Sequence, residues 1–185
     1  CNYCELHEKL SKFFPNGKEG AKILENILQK IKLKGKNKQY DCIVGISGGV
    51  DCTYLIHLAK SYGLRPLAVH VDNGWDSEIS KKNINNVIKK LSVDLYDFVV
   101  NKEEMNDLLK SFIRASYPWA DGPPDLGLIS VLYIVAKEKG IKSILVGNNF
   151  RTEGRQPLEW TYLDNRIVRN IHKRYGELSK LESFS

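Results

Sequence analysis

The sequence predicts an α/β fold: a doubly wound parallel sheet with helices on both faces. Two observations carry this. Four short apolar runs, residues 39–46, 67–71, 94–100 and 141–146, alternate with stretches of helical length and period, which is the pattern of a parallel sheet. The first run is almost continuously apolar and ends in Ser47-Gly48-Gly49, as suits a strand covered on both faces that turns tightly into a helix.

In chain order, residues 18–32 form the first clear helix. Ala21, Leu24, Ile27, Leu28 and Ile31 recur at three and four, with lysines and Glu25 opposite. Gly35 and Asn37 end it. After the first strand and its loop, a helix runs from about Thr53 to Ser61 and stops at Tyr62-Gly63. Arg65-Pro66 leads into the second strand, which delivers Asp72-Asn73-Gly74-Trp75 at its carboxyl end. In open α/β sheets ligands bind at such ends. Ser77 is placed to cap a helix over residues 77–91, with Ile79, Ile84, Val87, Ile88 and Leu91 as its apolar face.

The third strand follows, then a helix over 105–115. Residues 117–124, with three prolines, a tryptophan and a glycine, are a candidate substrate loop. Residues 126–139 are apolar nearly all round and predict a buried helix closed by Gly140. Asp125 stands just before it, where an N-cap is the common role. The fourth strand ends at Gly147-Asn148-Asn149, and a last helix covers 165–175. No internal repeat or low-complexity tract interrupts the chain.

The loop after the first strand is the main chemical signal. Ser47 and the two glycines leave backbone N–H groups pointing outward. Gly48 and Gly49 permit positive φ and close approach of an anion, and the helix start adds partial positive charge. Phosphate or pyrophosphate suits such a site. The Lys-Ser/Thr pair of a Walker loop is missing. So is the third glycine of a dinucleotide fingerprint, and an Asp follows the glycine pair instead. The plainer reading is a glycine-rich turn.

Composition sets the outer limits. With 185 residues and 42% hydrophobic content, the chain can form one domain with a small appendage. No run approaches the roughly 18 apolar residues of a membrane span, and no signal-peptide pattern is present, so a cytoplasmic protein is expected. The net charge is +6. Residues 18–38 supply much of it, and a basic domain suits nucleic acid, an anionic nucleotide or a phosphorylated sugar. The lysines are not interleaved with aromatics as in single-strand binders, so they read as a solvated face and nucleic acid is not the expected partner.

Cys1 and Cys4 form one CxxC, half of a four-ligand zinc site, with His7 the other soft ligand nearby. A zinc ribbon lacking its other half, a redox pair and two idle cysteines all fit; zinc in the intact protein is preferred. The chain starts at Cys and lacks a clear terminus at either end. It is therefore expected to be a piece of a longer protein, with 1–17 the remnant of a zinc-ribbon segment and 18–185 the main domain.

Several stretches carry a resemblance. SGGVDCT resembles the SGGxDS loop of the ATP pyrophosphatases, the PP-loop, which implies the Rossmann-like adenine nucleotide α-hydrolase fold. The segments CNYCELHEKL, YDCIVGISGGVDCTYLIHL, LAVHVDNGWDSEISKKNINNV, SYPWADGPPDLGLISVLY and ILVGNNFRTEG, then WTYLD and IVRNIHKRYG, resemble the N-acetyl sugar amidotransferases nearly end to end. VHVDNGW is the most specific of them. These enzymes make acetamidino sugars for surface polysaccharides and flagellin glycans.

The resemblance implies ATP and magnesium as cofactors, a nucleotide-linked N-acetyl sugar as substrate, and ammonia from a separate glutaminase subunit. It places Ile46, Ser47, Gly48, Gly49, Asp51, Cys52 and Thr53 at the ATP pyrophosphate, with Val71, Asp72 and Gly147 also against the nucleotide. Cys52 stands where the pattern has Ser; a thiol is the poorer donor, and Thr53 is the neighbouring substitute. Asp51, Ser47 and Asp125 become the catalytic candidates. Asp51 and Glu153 become the magnesium candidates; Glu153 pairing with Arg151 or Arg155 is its structural alternative. Asn73, Trp75, Asn148 and Asn149 become substrate candidates. Trp75 and Trp119 suit stacking on a sugar or uracil, or core packing. His70 reads as a core histidine.

Two other readings share the loop. A PP-loop transfer-RNA thiolating enzyme fits the basic charge and the CxxC, with Cys52 at a helix N-terminus as the persulfide carrier and Cys42 buried and inert. A nucleotide sensor needs the loop alone.

Overall fold

A computed structural model describes residues 1–151 and 162–182. The element order is α1 (Asn2–Phe13), α2 (Gly17–Lys34), β1 (Cys42–Gly45), α3 (Val50–Ser61), β2 (Pro66–Asp72), α4 (Glu78–Leu91), β3 (Asp94–Val99), α5 (Lys102–Arg114), α6 (Gly122–Glu138), β4 (Ile144–Leu145) and α7 (Asn165–Tyr175). The strands pair in parallel in the order β3-β2-β1-β4. The chain therefore moves outward from β1 to β3, then crosses to the other side of β1. The predicted α/β doubly wound sheet is what forms.

Side chains alternate between the two faces of a strand, and each face has its own core. Ile43, Leu67 and Val69 meet Val131, Leu132, Val135 and Ala136 of α6. On the other face Val44 and Ala68 meet Ile56 of α3 and Ile84 of α4. Arg65 clamps the sheet's amino end. Its guanidinium lies 2.6 Å from buried Asp41 and donates to the carbonyls of Gly35 and Lys38. Burial pushes the Asp41 carboxyl up, but the Arg65 contacts outweigh it and hold it below its ordinary value.

Several boundaries differ from the expectation. β1 spans only Cys42–Gly45 of residues 39–46, though the Asp41 and Ile46 amides still donate to the Arg65 and Val69 carbonyls at its two ends. β4 keeps only two residues of the run 141–146. α5 begins at Lys102, ahead of Met105, because the Asn101 side chain accepts from the amides of Glu103 and Glu104. α6 begins at Gly122 and takes in Pro123 and Pro124, which its first turn tolerates. Asp121, not Asp125, holds the N-cap position of α6.

Two burial expectations are corrected. α6 is not buried all round: Ile129, Tyr133 and Ile134 are 41%, 66% and 54% exposed. α2 buries only Ile31, because its C-terminal turn alone reaches the core beside Cys42, Ala59 and Leu64. Ser77 caps α4 as expected, accepting from the Ser80 amide. α1 carries no buried residue, and the loop after β4 holds its far end. There Arg151 donates to the Phe14 carbonyl at 2.8 Å, and Phe150 lies against His7 and Phe14.

The chain's end is fixed by one buried carboxylate. Asp107 on α5 receives His172 Nε2 at 2.8 Å and the amides of Glu177 and Leu178. Burial alone would raise its pKa; the two amides and His172 more than reverse that and hold it below 3.8. A carboxyl lowered by folding contributes stability that is whole above its unfolded pKa and lost as pH falls through the folded one. Asp107→Asn should therefore cost about 1–3 kcal/mol near neutrality. Part of that difference should be gone at about pH 3 relative to about pH 5, and the rest should follow as pH falls further through the folded pKa. Urea unfolding of both proteins at the two pH values checks this; a gap independent of pH would contradict it.

Candidate functional site

A cavity of about 360 Å³ opens at the carboxyl ends of β1 and β2 and beside the end of β4. It lies where β1's two neighbours lead to connections on opposite sides, the place where open α/β sheets bind ligands. Ile46, Ser47, Gly49, Asp51 and Cys52 line it from the first loop and the first turn of α3. Val71 and Asn73 line it from the end of β2, and Gly147 and Asn148 from beyond β4. Asp125 closes it from α6. Gly147 is small for a reason: a Cβ there would sit 3.3 Å from the Cys52 amide and 3.4 Å from the Asp51 carbonyl carbon.

The remaining candidates stand elsewhere. Gly48 is buried beneath the loop. Thr53 is half-buried in α3, outside the cavity wall. Asp72 accepts from the Gly74 amide at 2.8 Å and lies 3.9 Å from Lys81 Nζ. Trp75 is 64% exposed, and neither it nor Trp119 lines the cavity. Asn149 turns back to accept from the Arg151 amide. Glu153 falls outside the described residues.

The loop is not built as expected in one respect. Only Gly48 has positive φ, at 79°; Gly49 is the N-cap of α3 with an ordinary φ of −76°. The Ser47 amide is also occupied, donating to Cys52 Sγ at 3.4 Å, while the Cys52 thiol donates to the Gly49 carbonyl at 3.2 Å. Cys52 thus ties the two ends of the loop together from below. A hydroxyl of similar reach can make the same pair of bonds, so Cys52→Ser should keep ATP affinity within about twofold of wild type. Titration calorimetry checks this, and a tenfold loss would show that the loop depends on sulfur.

Two carboxylates face the cavity from opposite walls. Asp51 is exposed in the first turn of α3. Asp125 is pushed above its ordinary pKa by partial burial and then by Asp121 next to it. His70 is the core histidine the sequence suggested, 6% exposed, and it also lines the cavity; Asp76, which sequence reasoning missed, lines it too. His70 Nδ1 meets Asp97 Oδ1 at 2.6 Å across the β2–β3 pairing, and Nε2 faces Asp76 Oδ2 at 3.3 Å. The alternation in Ala68-Val69-His70-Val71 was the available signal, since it sets His70 on the face of Ala68.

The donor sets fit the two metals differently. Magnesium takes one or two carboxylates, with phosphate oxygens and water as its other ligands, and Asp51 on the cavity wall meets that need. Structural zinc takes four donors. Cys1 and Cys4 supply two exposed sulfurs, 3.5 Å apart in and before the first turn of α1, and His7 packs on Phe150. Among the described residues no three His, Cys, Asp or Glu side chains gather into a metal site. No described helix is long and apolar enough to cross a membrane.

Solved structures share this architecture. An ammonia-dependent NAD synthetase from Campylobacter jejuni, in complex with nitrate, matches with a TM-score of 0.52 and 17% identity, over 83% of this chain and 72% of its own. The chain has the PP-loop fold. An NMN synthetase from Francisella tularensis is similar at a TM-score of 0.49 and 15% identity, over 82% of this chain and 70% of its own. A glutamine-dependent NAD+ synthetase from Acinetobacter baumannii, in complex with ADP, is similar at 0.49 and 16%, over 85% of this chain and 32% of that longer one. No family model matches the sequence, and no curated protein matches it either.

Proposed function

We propose that the protein is an ATP-dependent, PP-loop amidotransferase that converts the N-acetyl group of a nucleotide-linked sugar into an acetamidino group. One observation carries the ATP part: the Ser47–Asp51 loop and the start of α3 open onto a cavity walled by Asp51 and Asp125. The sugar part rests on the resemblance of VHVDNGW and its companion segments.

In this reading ATP lies with its phosphates against Gly49 and the first amides of α3, where free N–H groups and the helix start favour negative charge. Magnesium, when bound, neutralises phosphate charge, and Asp51 would hold it; Glu153 remains a second candidate. The acetamido oxygen attacks the α-phosphorus and the bond to pyrophosphate breaks. Ammonia, supplied by a separate glutaminase subunit, adds to the imidate carbon. AMP leaves with the oxygen, a proton is released, and the acetamidino group remains. The protein's own part is to position the two substrates and to stabilise developing charge. Asp125, which lines the cavity with its pKa raised, would hydrogen-bond the reacting amide.

The thiolation reading needs a cysteine that can reach substrate. Cys52 is 9% exposed and its thiol is already bonded to the loop backbone, which weighs against it. The test is pyrophosphate release from ATP and magnesium with ammonium and a panel of UDP-N-acetyl sugars. Release that requires both the sugar and ammonium supports the reading. Release driven instead by transfer RNA would replace it with thiolation. A protein that binds ATP and releases none would be a sensor.

A further inference from the structure

Among the described residues three buried side-chain polar atoms have no hydrogen-bond partner, and two of them belong to residues that line the ATP cavity. They are His70 Nε2 and Asp76 Oδ2, which lie 3.3 Å apart without bonding each other. Buried polar atoms are nearly always bonded, so two orphans side by side mark a place for a third group.

The pair is held from behind. His70 Nδ1 lies 2.6 Å from Asp97 Oδ1 on β3, which leaves Nε2 turned to Asp76. Asp76 follows a turn fixed by Asp72 and Asn73, whose side chains accept from the Gly74 and Trp75 amides. With Nδ1 donating to Asp97, Nε2 of the neutral ring carries a lone pair. Asp76 Oδ2 is an acceptor as well. The missing partner is therefore a donor with at least two hydrogens to give. Two carboxylates around a neutral ring leave the spot negative, which favours a small cation over water. A divalent metal suits it less: Asp97 is spent on the far side of the ring, and among the described residues no three His, Cys, Asp or Glu side chains gather as ligands.

We infer that His70 and Asp76 form the ammonium subsite of the reaction, with Asp76 holding the ion and His70 Nε2 taking its proton. The inference rests on the amidotransferase reading and adds where the nitrogen nucleophile sits and what activates it. Ammonium cannot attack, because its nitrogen has no free electron pair. Transfer of one proton to Nε2 leaves the N–H pair on nitrogen. The ammonia so formed makes the C–N bond at the imidate carbon, and the C–O bond to AMP breaks with its pair on oxygen. The imidazolium stays between Asp97 and Asp76 until its proton returns to water.

The first test is binding of ammonium to the whole chain, read from the ring nitrogens of His70 by NMR. Ammonium chloride should shift Nε2 saturably where sodium chloride at equal ionic strength does not, and Asp76→Asn should weaken the effect by about tenfold. An ammonium response no different from sodium overturns the assignment. The second test is turnover. Asp76→Asn should raise the KM for ammonium about tenfold with the KM for ATP unmoved. His70→Gln should lower kcat with ammonium about a hundredfold. Hydroxylamine, which is largely neutral near pH 7 and needs no deprotonation, should restore most of that turnover. Asp97→Asn should show the same loss and the same rescue, since Asp97 acts by orienting His70. Circular dichroism separates lost chemistry from lost fold; if His70→Gln does not fold, the NMR titration and Asp76→Asn decide. The two proposals fail separately. If no N-acetyl sugar drives pyrophosphate release while the ammonium shift still depends on Asp76, the reaction is wrong and the subsite stands. If release requires ammonium and both His70→Gln and Asp76→Asn keep wild-type kcat and KM for it, the reaction stands and the subsite falls.

Discussion

Asp51→Asn should leave the protein folded and reduce ATP-dependent pyrophosphate release at least about a hundredfold, the scale of losing a metal-supported or preorganised electrostatic contact. The side chain is exposed in the first turn of α3 and none of its atoms packs in the core. The fold cost is then only the loss of a negative charge near a helix start, about 0.3–1 kcal/mol. Asparagine keeps the shape and loses the charge that would hold magnesium against the phosphates. Raising magnesium should recover part of the activity if the residue acts through the cation. Pyrophosphate assays across a magnesium series, beside a thermal melt, measure both effects. Full turnover in Asp51→Asn would remove Asp51 from the machinery.

Much of the molecule was legible in the sequence because its signals were local. The four apolar runs gave the strands, and Ser77 gave the start of α4. Asn101 was a local signal the expected start at residue 105 passed over: with Glu104 three residues on, it has the form of a capping box, and its side chain does accept from the Glu103 and Glu104 amides. What local pattern does not carry is what covers a surface. α6 is apolar nearly all round, yet Tyr133 and Ile134 face outward, because the sheet can cover only one side of a helix. Pairing across strands is equally invisible. His70 gains its carboxylate partner only through the register that sets it opposite Asp97. The anchoring of α7 and residues 177–178 on α5, far away in the chain, likewise depends on one residue, Asp107. The loop at Ser47–Asp51 was readable as residues, and its division of labour was not: two adjacent glycines look alike in sequence and are used in opposite ways.

That difference gives the second large effect. Gly48 is buried with φ at 79°, and a Cβ there would lie 2.5 Å from the Ser80 carbonyl oxygen and 2.9 Å from the Ser80 Cα. The obstacle is backbone in the first turn of α4, so it cannot rotate aside. Asn83 also donates to the Gly48 carbonyl at 3.1 Å, fixing the loop on that helix. Gly48→Ala meets a left-handed penalty of roughly 1–2 kcal/mol and must in addition push the loop off α4. It should lower the melting temperature and weaken ATP together. Gly49 has an ordinary φ, and a Cβ there would find only Ser47 Oγ, at 3.5 Å. Gly49→Val should therefore stay folded, with its melting temperature near wild type, and lose ATP affinity by filling the space in which the phosphates approach the α3 amides. Calorimetry and thermal melts on the two variants should separate them cleanly. ATP bound normally by Gly49→Val would place the phosphates somewhere other than this loop, and a fully stable Gly48→Ala would mean that the loop does not need its seat on α4.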